Sequence, residues 1–243
     1  MLRQLDFNAI SIGKSGNGPL IELAALKEYA EPLKPKIVLW LYYENDFWDL
    51  LGEMKSSILK KYLDEDDYSQ NLISRQEEID SVLINYVQSE WEKERIKNNE
   101  IINKKRIINI KMIINILKLS KLRKMINLTP TPSPIFRDVL SKSKQMVLGW
   151  GGKIYFVYLP PFERYSGGNT KNNSYDFVIS TATELDIPII DIHKEVFESH
   201  LDPLSLFPFR VHGHYNAEGY RLFAEVVEKR LEADGYVPTK SKK

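Results

Sequence analysis

The residues best equipped for chemistry lie in three short clusters far apart along the chain: Gly13-Lys14-Ser15-Gly16-Asn17-Gly18, Glu44-Asn45-Asp46 and His212-Gly213-His214. Histidine is the side chain that most readily takes and returns a proton near neutral pH. His214 stands just before Asn216 and a run of helical periodicity, a turn where a general base can face an open sheet edge. The two-residue spacing of His212 and His214 also admits a metal pair, although no matched carboxylate cluster accompanies it. His193, after a β-rich run, and His200, in a polar turn, read as surface residues.

The glycine cluster is open to several readings. Gly13-Lys14-Ser15 invites a phosphate loop, but that motif needs a glycine where this chain has Asn8, and Ala9 to Ile12 reads as strand. Glycines at 13, 16 and 18 do not make the dinucleotide fingerprint either, so neither nucleotide motif is complete and no cofactor is expected. What remains is a strand followed by a glycine-rich turn into a helix. Such a turn can aim backbone N–H groups and a helix N-terminus at a developing oxyanion. The plainer alternative is a tight connection that needs glycine for its dihedrals. Asn45 is likewise either an amide donor to an oxyanion, with Asp46 bracing the loop, or part of a helix-capping pair.

The elements that must position these residues follow from periodicity. Phe7–Ile12, Ile37–Tyr42, Ile154–Leu159 and Ile187–Ile192 are short β-rich runs bounded by Gly, Pro or charge. Helical spacing follows over Pro19–Leu33, Tyr175–Leu185 and Ala217–Leu231. Strands alternating with helices imply parallel pairing through crossovers, hence an α/β fold with helices on both faces of a mostly parallel sheet. Between about 51 and 133 the rhythm breaks into a helical insertion. A long helix runs through Leu72–Trp91 and a second through Ile101–Ile126. Pro130, Pro132 and Pro134 close the insertion before a crossover helix over Phe136–Leu148. One domain with an insertion, spanning 1–243, fits this order.

Composition narrows the partners. A formal net charge of +1 argues against a nucleic-acid protein held by global basicity. With no cysteine there is no disulfide framework and no thiolate metal site. No apolar run approaches the roughly 18 residues of a membrane span, and no signal-peptide core is visible, so the compartment stays open. Lys104 to Lys124 carries eight Lys or Arg and no acid among Ile, Leu and Met. It reads either as a basic amphipathic helix for an anionic membrane surface or as a helix packed on the acidic helix before it.

In their order and spacing, the three clusters resemble blocks of the SGNH/GDSL hydrolase family. "SIGKSGNGPLIELAALKEY" is similar to its second block, "LYYENDFWDL" to its third and "GHYNAEGYRLFAEVV" to its fifth. The resemblance implies a flavodoxin-like three-layer fold. It casts Gly16 and Asn45 as oxyanion donors and His214 as the catalytic base. The family's nucleophilic serine lies in a Gly-Asp-Ser block on a first strand upstream of the glycine turn, and this sequence starts too late to hold it. The acidic partner usually stands three residues before the histidine, where this chain has Val211. His212 occupies a site where some relatives carry Asp. Ser15 is the nearest serine that could substitute as nucleophile, and a Ser–His pair oriented by a backbone carbonyl could work without the acid.

The resemblance therefore implies a parent serine esterase or acyltransferase, periplasmic or membrane-anchored, acting on a carboxylic ester. A glycan acetyl ester of a surface-polysaccharide system is its first substrate class. The present chain is expected to be a form lacking the first βα unit, and with it the nucleophile. Two rivals stand beside this: a non-catalytic binding protein that keeps the cleft for carbohydrate or acyl ligands, and a membrane-surface scaffold acting through 104–124.

Overall fold

A computed structural model describes residues 2–14, 16–103, 133–167, 173–211 and 213–238. Ser15, His212 and the basic stretch 104–124 lie outside the described residues, as does most of the second insertion helix expected over Ile101–Ile126.

The chain forms an α/β fold around a three-stranded, all-parallel sheet. Strand β1 (Ile37–Tyr43) pairs with β2 (Lys153–Leu159), which pairs with β3 (Ile189–Asp191). Ile37 is in register with Lys153, and Phe156 with Ile189. Three of the four β-rich runs thus become strands. Phe7–Ile12 does not: it follows a short 3-10 turn at Leu2–Leu5 and belongs to no sheet. A strand is stabilised by its neighbours rather than by its own propensity, and among the described residues no N–H from Asn8 to Gly13 finds a partner.

Helices cover both faces. On one face lie α1 (Pro19–Ala25, prolonged by a π turn over Leu26–Ala30), α2 (Asp46–Glu53), α3 (Ser57–Asp64) and, after the long helix α4 (Gln76–Asn103) of the insertion, α5 (Pro134–Gly149) and α6 (Asn173–Glu184). Their Leu20, Leu23, Phe47, Leu50, Tyr62, Phe136, Val139 and Val178 bury Trp40 and Tyr42 of β1 and Ile154, Phe156 and Tyr158 of β2. On the other face α7 (Ala217–Ala233) and the turns over 193–210 pack Val196, Phe197, Phe207, Tyr215, Val227 and Leu231 on Tyr155 and Val157. Successive β2 residues therefore alternate between two cores, as a pleated strand covered on both sides requires. Burial is complete along Ile154–Tyr158, which marks β2 as the central strand.

By contacts the chain divides into two compact units, 1–69 with 131–243, and 70–130. In the second unit the described helix is α4 (Gln76–Asn103). Val82, Leu83, Tyr86, Val87 and Trp91 are all exposed along it, although their spacing by threes and fours is that of a core-facing stripe.

Candidate functional site

His214 is held by the residues that follow it. Tyr215 is buried, and its hydroxyl donates to the Pro160 carbonyl just beyond β2 at 2.8 Å. Asn216 caps α7, its Oδ1 accepting from the Gly219 N–H at 3.0 Å, while its Nδ2 donates to the Ser205 carbonyl at 2.7 Å. The loop therefore hangs from the C-terminal end of β2 and the start of α7. It leaves the His214 ring exposed beside the ring of Tyr43, with centroids 5.4 Å apart. Tyr43 is the last residue of β1. The structure thus brings positions 43 and 214 together at the C-terminal edge of the sheet, the edge where open parallel sheets bind ligands.

Asn45 follows two residues after Tyr43. It precedes α2 and is exposed, but its amide is engaged: Nδ2 donates to Asp49 Oδ2 at 2.6 Å. One amide hydrogen is thereby used and the second remains for a ligand. Asp46 is buried and turned back, its Oδ2 accepting from the Tyr43 N–H at 2.9 Å, which ends the strand and fixes the direction of the loop.

The glycine turn differs from expectation in one respect. Gly16 has φ of 80°, a left-handed conformation that favours glycine, with open space where a side chain would stand. Two residues on, Gly18 lies so close to α2 that a Cβ there would meet Asp49 Cβ at 2.7 Å. Its N–H and that of Leu20 donate to the Glu53 carboxylate at 2.6 and 2.9 Å. An internal carboxylate thus occupies the donors at the start of α1. The first N–H groups of the helix are thus taken up, and with the Asn17 N–H also given to Lys14, the Gly16 N–H is one donor that the described residues of this turn leave unpartnered.

Behind these residues sits an acidic cluster, buried at Asp46 and Glu53 and half-buried at Glu22 and Asp49, that sequence reasoning did not single out as a group. Glu22, Asp46, Asp49 and Glu53 converge between α1 and α2. Burial, followed by the nearby Asp46, Glu53 and Asp49 charges, pushes the Glu22 carboxyl well above its ordinary range, and one of its oxygens is buried without a hydrogen-bond partner. Burial likewise raises Asp46, against the pull of the Tyr43 N–H, and it raises Glu53. Among the described residues no three His, Asp or Glu are arranged to hold a metal ion, and the His212–His214 pair cannot be compared because His212 lies outside them.

A second polar group lines the same sheet edge. Glu44 accepts from the Ser174 hydroxyl and, at 3.5 Å, from Tyr158. The Tyr175 hydroxyl donates at 2.5 Å to Asp191, the last residue of β3. His193, expected on the surface, is half-buried, its Nδ1 2.8 Å from the Tyr165 hydroxyl. Burial, reinforced by the Arg164 charge, lowers its proton affinity. Tyr43, Tyr158, Tyr165, Tyr175, Tyr215 and Tyr220 all belong to this region. Its aromatic character was invisible in the sequence because those tyrosines come from five separate segments. His200 is also half-buried and lies elsewhere, in an open cleft with Glu195, Glu225 and Lys229.

No acidic or hydroxyl side chain among the described residues hydrogen-bonds His214, and Val211 is exposed. No protein-family model, curated protein or solved structure matches this chain.

Proposed function

We propose that this chain carries the base and oxyanion groups of an SGNH-type carboxylic-ester site, serving an ester hydrolase or O-acyltransferase, with a glycan acetyl ester as substrate class. The observation that carries the reading is the meeting of the His214 ring with Tyr43 at the end of β1, two residues before Asn45. In this reading a serine attacks the acyl carbonyl, His214 takes its proton, and the Gly16 N–H and the Asn45 amide hold the oxyanion. The tyrosine-rich wall beside His214 supports a sugar-bearing substrate, since phenol rings offer both an apolar face and a hydroxyl.

Two observations favour a second reading, a carbohydrate- or acyl-binding protein without turnover. His214 has no hydrogen-bond partner among the described residues, and one of the two Asn45 amide hydrogens is already given to Asp49. Hydrolysis of p-nitrophenyl acetate separates the two. An oxyanion hole and binding alone leave roughly 10³-fold catalysis over water, so the hydrolase reading expects slow turnover, with no rapid acyl-enzyme burst, that falls in His214→Ala and Asn45→Ala. Turnover indifferent to both substitutions sinks it. Fast turnover abolished by Ser15→Ala would instead make Ser15 the nucleophile.

A further inference from the structure

Asp49 is poorly placed for stability alone. It stands half-buried on the face of α2 that meets Gly18, and its charge opposes the ionisation of Glu22, Asp46 and Glu53. Among the described residues its carboxylate makes no ion pair and has one hydrogen-bond partner, Asn45 Nδ2 at 2.6 Å. The two residues lie four apart, the spacing at which side chains of one helix face meet. A carboxylate only accepts, so the nitrogen of the Asn45 amide must face it and the oxygen must turn away.

Asn45 stands at the N-terminus of α2, yet its side chain takes no backbone N–H there. Its carbonyl accepts from the Trp48 and Asp49 N–H groups at 2.8 and 3.1 Å. The helix therefore fixes its backbone, and Asp49 fixes its side chain. An amide group is planar, so pinning one hydrogen sets the direction of the other. Without that pin the group can turn over and offer its oxygen, which repels a developing oxyanion. The Asp49 Cβ also packs on Gly18, so the glycine turn and Asn45 are both set against the same side chain.

We propose that Asp49 is a positioning residue of the candidate oxyanion site, holding the Asn45 amide in the orientation that presents N–H to a substrate. Its effect on turnover rests on the ester-site reading; its hold on Asn45 does not.

The test is a double-mutant cycle on the slow turnover of p-nitrophenyl acetate, read together with melting temperature and the NMR signals of the Asn45 side-chain amide. Asp49→Ala keeps the Cβ that touches Gly18 and removes the carboxylate. Expected is a roughly tenfold fall in kcat with KM unchanged, less than the 10²- to 10³-fold cost of losing an oxyanion donor outright. The melting temperature should not fall, because relief of the three neighbouring carboxyls offsets the lost bond. In an Asn45→Ala background the same substitution should cost nothing further, since its route is gone. Asp49→Asn still offers an acceptor oxygen and should keep most of the rate. The two Asn45 amide protons, held apart in shift while one is bonded to Asp49, should draw together in Asp49→Ala. Equal losses of turnover in both backgrounds, or a loss that tracks a fall in melting temperature, overturn the proposal as a general packing defect. So does an Asn45 amide spectrum indifferent to Asp49→Ala. Amide signals that respond, with turnover indifferent to Asn45→Ala, would instead sink the ester reading and the role of Asp49 in it, while confirming that Asp49 holds Asn45.

Discussion

Two tyrosine hydroxyls touch the loop that carries His214, and they are not equivalent. Tyr215 gives the Pro160 carbonyl a short bond in a buried setting, whereas Tyr43 reaches the Gly213 carbonyl at 3.5 Å and is only half-buried. Removing a buried donor strands its acceptor, which costs about 1–2 kcal/mol. Removing a long bond at a wet edge costs little. Tyr215→Phe should therefore lower stability by about 1–2 kcal/mol, while Tyr43→Phe leaves it nearly unchanged in urea melts. A larger loss from Tyr43→Phe would mean that the loop is held from the β1 side instead. Gly18 makes a similar point about cause. It is needed because α2 passes within contact of its Cα, a packing reason that the sequence alone does not separate from a dihedral one.

At the level of elements, the contact between α1 and α2 is where charge and stability are most tightly linked. Glu22 binds its proton more firmly folded than unfolded, because burial and then Asp46, Glu53 and Asp49 oppose its ionisation. Its contribution to stability is therefore fully present below its ordinary value near 4.5 and is lost as pH rises through the raised folded value. Glu22→Gln removes that loss. The variant should melt higher than the parent at neutral pH, by roughly 2–4 °C for each 1 kcal/mol relieved, with the gap shrinking as pH falls toward 4.5. An equal gap at all pH values would show that Glu22 stays ionised in the fold. Nothing in the sequence marks this cluster: Glu22 reads as the polar face of a helix, and only the approach of α2 buries it. The elements themselves were far more legible. Periodicity located β1, β2, β3, α5, α6 and α7 to within a few residues, because each has one face or both in a core. Phe7–Ile12 carries the same β-prone residues but has no partner strand, and pairing is a property of the whole sheet. Gly16, Asn45 and His214 could be nominated from residue type. The closure of the α1 N-terminus by Glu53 could not, since 33 residues separate Glu53 from Leu20.

Across the whole molecule, burial is distributed unevenly, and local stability should follow it. Strand β2 has a neighbour on each side and a core on each face, with Tyr155, Phe156, Val157 and Tyr158 fully buried. Its amides open only when both cores are lost, so they report global unfolding. Helix α4 presents Val82 at 61%, Tyr86 at 60% and Trp91 at 77% exposure. It draws little from packing, and propensity alone holds a helix only marginally in water. Native-state hydrogen exchange should accordingly rank the amides of Phe156 and Val157 slowest and those of Val82 to Trp91 among the fastest helical ones. Low urea should accelerate β2 steeply and α4 weakly, because opening α4 exposes little new surface. Equal protection, with the same urea dependence in both, would show that the two compact units unfold as one and that the α4 stripe is covered in solution.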